Sequence, residues 1–244
     1  MDWFTFTIFR NMRVFVLVVL CLNWTSRTYS SENQKVWSKT ESGTILYLSP
    51  VKDEWIPASA KEKVPVKTYV ITKDSTIATI FRDAEAYELP PNSYFFIEDI
   101  FDRTRLEIIS TLIRIDAEQL PSQLAPEESK KIGLVYGAPR EHLTSGEIPY
   151  ENERKNAFQW FINHKKYGPA LLSLKRMMSR YPQAYLNQNY LEQLFYLYDW
   201  FNLYGFLLEE TKLLLNDEAS RPNKVTIEKW FEYVQKKIMI DEQK

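Results

Sequence analysis

The chain has 244 residues and nearly balanced charge, with 31 basic against 32 acidic side chains and a formal net charge of −1. This balance provides no long-range attraction to nucleic acid or to anionic lipid. The length is enough for two small domains or one large one, each with its own hydrophobic core. The single cysteine, Cys21, lies in the N-terminal segment, so the rest of the chain has neither disulfides nor thiolate ligands.

The N-terminal segment has the pattern of a secretory signal peptide. Arg10 and Arg13 precede an apolar run of about nine residues at 14–22, whereas a membrane-spanning helix needs roughly 20. Thr28 and Ser30 then fit a cleavage site after residue 30. We therefore expect an exported protein, periplasmic or secreted, with no integral membrane span after signal removal.

Two alternatives to simple cleavage remain open. Cys21 could carry the lipid of a lipoprotein, but that processing requires a small preceding side chain and Leu20 stands there. The other alternative is an uncleaved N-terminal anchor, which the shortness of the apolar run disfavours. The lack of cysteine after residue 30 favours a bacterial envelope protein over an animal extracellular one, because small animal modules usually contain disulfides.

Residues 44–115 predict an antiparallel all-β unit. Runs rich in β-branched and aromatic residues recur about every ten residues, separated by proline and polar turn clusters. The apolar alternation of the last run slips once near Ser110, which is typical of a β-bulge. The sequence Pro90 to Ser93 predicts a turn, because proline fixes φ and Asn and Ser bond back to their own backbone. The predicted strands are 44–48, 55–56, 67–72, 76–81, 86–89, 94–97 and 106–115.

Three of these features follow one another closely: a strand that ends at Phe81, Arg82 and Asp83, a strand at 86–89, and the turn at 91–93. In this order they resemble the FecR-type β domain of bacterial envelope proteins, and the resemblance implies periplasmic scaffolding or sensing. Ala84 stands where that family usually has glycine, so we expect the turn to be wider or strained. A generic β-sandwich without this kinship is the alternative.

Residues 119–150 predict a linker. They contain four prolines and three glycines around one short apolar stretch, Ile132 to Tyr136. Proline and glycine at this density interrupt any long helix or strand. The apolar stretch is a candidate edge strand that closes the β unit.

The last third contains an internal repeat. A shift of 37 residues superimposes Phe158 on Phe195 and Leu171 on Leu208, among other pairs. A second shift, of 33 residues, adds a truncated third copy near Ile227. Each copy has two apolar stripes at helical spacing, which predicts a helical hairpin with its turn at the Tyr and Gly of positions 167 and 168.

The spacing of Ala170, Leu174 and Pro182 resembles the tetratricopeptide (TPR) repeat, whose usual period is 34. The period of 37 and Leu207 in place of a small residue depart from that pattern. In such repeats the first helices line a concave groove, so the resemblance implies a groove that binds protein partners. The predicted partner-binding positions are Lys155, Gln159, Asn163, Glu192, Tyr196 and Trp200.

Catalytic signatures are missing from the sequence. Neither His142 nor His164 has a companion at metal-ligand spacing, and the chain has no nucleophile elbow and no phosphate-binding glycine loop. We therefore predict a non-enzyme without cofactor or metal, and without catalytic, cofactor-binding or metal-binding residues.

The predicted architecture is α+β in two domains, an N-terminal antiparallel all-β domain and a C-terminal all-α helical-hairpin repeat. Its boundaries are a signal peptide at 1–30, a FecR-like domain at 31–118, a linker at 119–150 and a TPR-like repeat at 151–244.

The leading function is a non-enzymatic envelope protein that acts as a scaffold or sensor for other envelope proteins. One alternative is a cell-wall or glycan-binding module, which solvent-exposed Trp37, Trp55 or Trp200 would favour. Another is a carboxylate-based hydrolase, which would need a close Asp or Glu pair in a cleft.

Overall fold

A computed structural model describes residues 36–49, 54–59, 61–83, 85–117, 147–217 and 222–241. The predicted signal peptide, Cys21, the candidate strand at 132–136 and His142 lie outside these residues, as does the side chain of Trp37.

The N-terminal part of the described chain folds into two four-stranded sheets with antiparallel pairing, as predicted. The first sheet has the strand order β4-β1-β6-β7 and the second has the order β3-β2-β5-β8. Two of the eight strands described, β1 and β4, were not predicted, because lysine, glutamate and serine interrupt their apolar pattern. The strands are β1 (Val36–Ser42), β2 (Ile45–Leu48), β3 (Trp55–Pro57), β4 (Lys61–Val64), β5 (Tyr69–Thr72), β6 (Ile77–Arg82), β7 (Glu85–Leu89) and β8 (Ser93–Phe96).

Left-handed residues make the tight connections between strands. Gly43, at φ 80°, lets the chain pass from the first sheet to the second, and a Cβ there would lie 2.6 Å from Thr76 Cα. Asp83, at φ 55°, closes the β6–β7 hairpin, in which Arg82 pairs with Glu85. Asn92, at φ 49°, lies in the predicted turn between β7 and β8.

The predicted strand at 106–115 is wrong, because this segment is helical. A short helix, α1 (Ile97–Ile100), follows β8, so Ile97 begins a helix instead of ending a strand. The next helix is α2 (Arg105–Ala117). Its start is a capping box: the Glu107 carboxylate accepts from the backbone N–H of Thr104 at 2.8 Å, and the Thr104 hydroxyl accepts from the N–H of Glu107 at 3.3 Å.

The predicted β-bulge near Ser110 is also wrong. The apolar residues there follow the period of a helix, and this period looked like a slip in the alternation of a strand. Ile108, Leu112 and Ile115 recur at helical spacing and are all buried. The N-terminal unit is therefore two sheets followed by two helices, instead of strands alone.

The C-terminal part is helical and repeats as predicted. It contains α3 (Glu151–Asn163), α4 (Tyr167–Arg180), a 3-10 helix (Pro182–Leu186), α5 (Gln188–Trp200), α6 (Tyr204–Asn216) and α7 (Lys224–Asp241). Helices α5 and α6 begin 37 residues after α3 and α4, so the repeat predicted from the sequence corresponds to two helical hairpins.

The turn inside each hairpin precedes the position predicted for it. Tyr167 and Gly168 form the first turn of α4 instead of the connection. The connection is made by residues 164–166, where Lys165 is left-handed at φ 58°, and its equivalent in the second hairpin is Asn202 at φ 52°. One left-handed residue is enough to reverse the chain direction, so the second helix can begin within two residues of it.

One hydrophobic core runs through both parts. It joins Ile80 and Phe95 of the sheets to Leu112 of α2 and to Phe161 and Leu194 of the repeat, each almost completely buried. Helix α3 packs on β8 and α2 packs on α4. Within the described ranges, no helix combines the length and the apolar character that crossing a membrane requires.

Candidate functional site

The six predicted partner-binding residues are all exposed, on the first helix of each hairpin. Lys155, Gln159 and Asn163 follow one another by helical turns along α3, and the other three occupy the equivalent positions of α5. The two helices are joined near their starts, where the Tyr190 hydroxyl donates to Glu151 Oε1 at 3.1 Å.

Three rings form a cluster at the end of α5, which we call the aromatic patch: the exposed Tyr196 and Trp200 and the half-buried Tyr167. Trp200 is 53% exposed and Tyr196 is 48% exposed. The ring centroids of Trp200 and Tyr167 are 4.6 Å apart, and those of Trp200 and Tyr196 are 6.4 Å apart. Large aromatic side chains that stay in water as a group are typical of interaction surfaces.

The structure thus brings together two of the six predicted residues and adds Tyr167, which the sequence analysis placed in a turn. The signal that could have identified Tyr167 is the proline at position 169. Proline favours the first turn of a helix, so it predicts that α4 begins close to Tyr167. Lys155, Gln159 and Asn163 lie exposed along α3 without ring contact to the patch among the described residues.

Helix α2 holds the end of α5 in place. Arg105 donates from Nε to the carbonyl of Phe201 at 2.9 Å and from Nη2 to the carbonyl of Asn202 at 3.1 Å. These carbonyls belong to the C-terminal end of a helix, where a cation is favoured. The position of Trp200 is therefore coupled to the helix that follows the sheets.

Helix α7 flanks the other side of α5. Gln188 of α5 donates to the Thr226 hydroxyl of α7 at 3.4 Å, and the Tyr233 hydroxyl of α7 donates to Asp199 at 2.8 Å. Within α5, Glu192 accepts from Gln188 at 2.7 Å. Burial, together with the Asp199 carboxylate, raises the pKa of Tyr233 to about 12. Tyr233 is therefore a neutral donor at physiological pH, and its bond to α5 is maintained.

A second cluster contains the close carboxylate pair that a hydrolase would need. Asp116 Oδ1 lies 3.1 Å from Lys175 Nζ, and Glu210 binds the same ammonium group. The Tyr185 and Tyr198 hydroxyls also bind Glu210.

This cluster connects three helices through buried ion pairs. Burial disfavours the charged form of Lys175, but Glu210 and Asp116 more than offset it and raise the lysine pKa. Burial and the Glu210 charge raise the pKa of Tyr185 and Tyr198 well above the ordinary value. The charged lysine binds both carboxylates and joins α2, α4 and α6.

His164 caps the end of α3. It follows the last residue of α3, its Nδ1 lies 2.8 Å from the carbonyl of Trp160, and its ring stacks on Trp160 with centroids 4.2 Å apart. In the part of the chain that the structure describes, no three histidine, cysteine or acidic side chains are arranged to hold a metal ion.

Comparison with known proteins finds no family model that matches the chain, and no match among curated proteins or solved structures. The FecR-type and TPR-type resemblances stay predictions.

Proposed function

We propose that this chain is an exported, non-enzymatic envelope protein that serves as a scaffold or sensor, and that the aromatic patch is its docking surface for a protein partner. The observation that supports the proposal is the exposure of Tyr196 and Trp200 in contact with Tyr167. Tyrosine and tryptophan contribute most of the binding energy at many protein interfaces, because they bury a large apolar area and keep a polar tip.

The chemistry around the patch indicates the kind of partner. The three side chains of the aromatic patch are uncharged, and among the six predicted groove positions Lys155 is the only cation and Glu192 the only anion. Tyr196 and Trp200 are one helical turn apart, which suits successive apolar side chains of an extended segment. We therefore propose an uncharged extended peptide segment with proline or other apolar residues, the type that aromatic-lined grooves bind.

Glycan binding is the second candidate, and it is supported by the exposure of Trp200. The other tryptophan that the structure describes for this alternative, Trp55, is partly buried against Tyr94 and Tyr150. The ring planes of the patch are tilted by 38° and 52° to one another. Such rings form a notch instead of a flat platform, which favours a peptide over the face of a sugar.

The test is selection of peptides from a random phage-displayed library on the purified protein. A selected peptide, made synthetically, is then titrated against the wild type and against the double variant Tyr196→Ala, Trp200→Ala. Loss of two interface aromatics should weaken binding by at least about thirtyfold. The matched control is Leu213→Ala, which removes a 68% exposed apolar side chain of α6 outside the patch and should leave the affinity unchanged.

Circular dichroism establishes that each variant is folded. Equal peptide affinity for the wild type and the double variant would contradict the peptide proposal. Retention of the wild type on insoluble peptidoglycan or chitin, lost in the double variant, would instead assign the patch to glycan.

A further inference from the structure

A second group of aromatic residues lies between the second sheet and the repeat, and it contains two arginines. Tyr69 and Tyr94 project from β5 and β8, Arg154 belongs to the first turn of α3, and Arg180 and Tyr181 stand at the end of α4. We call these five residues the arginine–tyrosine cluster. This cluster could not be predicted from the sequence, because its members come from four separated segments.

Arg154 is the centre of the cluster. Its side chain is only 7% exposed, and its Cζ lies 3.8 Å from the ring centroid of Tyr94 and 5.1 Å from that of Tyr181. Its Nε donates to the carbonyl of Pro149 at 2.9 Å. The two rings and this bond fix the plane of the guanidinium group.

Arg154 has no anionic partner among the described residues, and its buried Nη2 has no hydrogen-bond acceptor. The other deeply buried cations are paired. Arg176 binds both carboxylate oxygens of Asp99, at 2.7 and 3.1 Å, and Lys175 binds two carboxylates. A buried charge without a counter-ion is costly. Arg154 therefore differs from Arg176 and Lys175, whose charges are compensated by carboxylates.

Arg180 adds a second cation to the same place. Its Cζ lies 5.7 Å from the ring centroid of Tyr69 and 5.9 Å from that of Tyr181, the ring that Arg154 also faces. Burial raises the pKa of Tyr94 far above the ordinary value, although Arg154 and Arg180 act in the opposite direction. The Tyr94 hydroxyl is thus protonated at neutral pH and available as a donor to an anion.

We propose that the arginine–tyrosine cluster binds a small oxyanion, the carboxylate or phosphate group of a small-molecule ligand, at the guanidinium of Arg154. The guanidinium fork offers parallel N–H donors that match such groups, and the stacked tyrosines hold it in one orientation. This site is separate from the aromatic patch and does not depend on the function proposed for it.

The test uses benzoate and inorganic phosphate as probes, titrated calorimetrically into the purified protein at constant ionic strength. We expect saturable binding of one of them, and the tighter probe identifies carboxylate or phosphate as the ligand group. Arg154→Gln should weaken that binding by at least about tenfold, because a charge-assisted contact is lost. The matched control is Arg114→Gln, since Arg114 pairs with Glu98 at 2.8 Å outside the cluster and should leave binding unchanged.

A measurement on the wild type covers the case in which Arg154→Gln does not fold. Nitrogen-15 NMR of the arginine Nε–H groups should show that the bound probe shifts the signal of Arg154, whose Nε donates to Pro149, and leaves the signal of Arg114 in place. Absence of saturable binding by both probes, equal affinity in folded Arg154→Gln, or an Arg154 Nε–H signal that does not respond to the probe would overturn the proposal.

Discussion

At the scale of single residues, buried charges fix the short helix α1 to its surroundings. Glu98 accepts from Arg114 at 2.8 Å and lies 3.5 Å from Arg103, and its side chain is 14% exposed. Burial opposes ionisation of this carboxyl most strongly, but Arg114 and Arg103 more than offset burial and hold the pKa of Glu98 below its ordinary value of 4.5. The ion pairs therefore stabilise the folded state wherever Glu98 is ionised.

This shift predicts a pH dependence of stability. Because the pKa of Glu98 is lower in the folded than in the unfolded chain, its contribution is complete above about pH 5 and is lost as the pH falls through the folded pKa. In urea titrations between pH 3 and pH 7, Glu98→Gln should lower the unfolding free energy at pH 7 and reduce its decline toward pH 3. Arg114→Gln should reduce the decline as well, because it removes the main cation.

The prediction requires Glu98→Gln to flatten the pH dependence of the unfolding free energy. A decline toward low pH that is as steep in Glu98→Gln as in the wild type would show that other carboxyls carry the acid sensitivity.

At the scale of elements, the two hairpins match in length and position but begin differently. Asn187 caps α5, and its side chain accepts from the N–H groups of Asn189 and Tyr190 at 3.0 and 3.4 Å. The equivalent residue of the first hairpin, Tyr150, is left-handed and makes no side-chain cap, but stacks on Tyr94. The first hairpin is thus fixed by packing on the sheet, and the second by its own cap.

Asn187→Ala should therefore destabilise the protein by about 1 kcal/mol, because two N–H groups of the first turn of α5 lose their acceptor. Urea unfolding measures the change. The matched control is Asn189→Ala, an exposed asparagine two positions further on, which should change stability by less than about 0.5 kcal/mol. A cost for Asn189→Ala as large as that for Asn187→Ala would refute the capping role.

Local pattern was enough to predict most of the fold. Periodicity and turn residues indicated six of the strands, and the internal shift of 37 residues located the hairpins. The segment at 106–115 was mistaken because its isoleucines and threonine favour strands on composition alone, whereas the capping box at Thr104 and Glu107 indicates a helix.

The candidate sites were only partly predictable. The repeat alignment identified Tyr196 and Trp200, since equivalent positions of a helical repeat share a face. The arginine–tyrosine cluster was beyond such reasoning, because Tyr69, Tyr94 and Arg154 meet only through tertiary packing of the sheet on the repeat.

At the scale of the whole molecule, the sheets and the repeat share one core. Leu112 of α2 is completely buried and belongs to the same cluster as Ile80 of the first sheet and Leu194 of α5. Gly168 brings α4 close to α2, and a Cβ at this glycine would lie 3.2 Å from Ile108 Cδ1. The two parts therefore depend on each other for burial.

A shared core predicts cooperative unfolding. Leu112→Ala should lower stability by about 2–5 kcal/mol and shift the transition seen by far-ultraviolet circular dichroism and that seen by tryptophan fluorescence by the same amount. The neighbouring Ile113→Ala, at a side chain that is 57% exposed, should change stability by less than about 0.5 kcal/mol. Separate transitions for the two probes would contradict a single cooperative unit.

The bonds from Arg105 to the two carbonyls that follow α5 also have a mechanical consequence. A partner that pulls on Trp200 would load α2 directly, because Arg105 joins the backbone at Phe201 and Asn202 to that helix. Because α2 packs in the core that the sheets and the repeat share, the force would act on that core and not only on the contact between the two hairpins. The surface proposed for docking is thus connected through α2 to the core that the sheets and the repeat share.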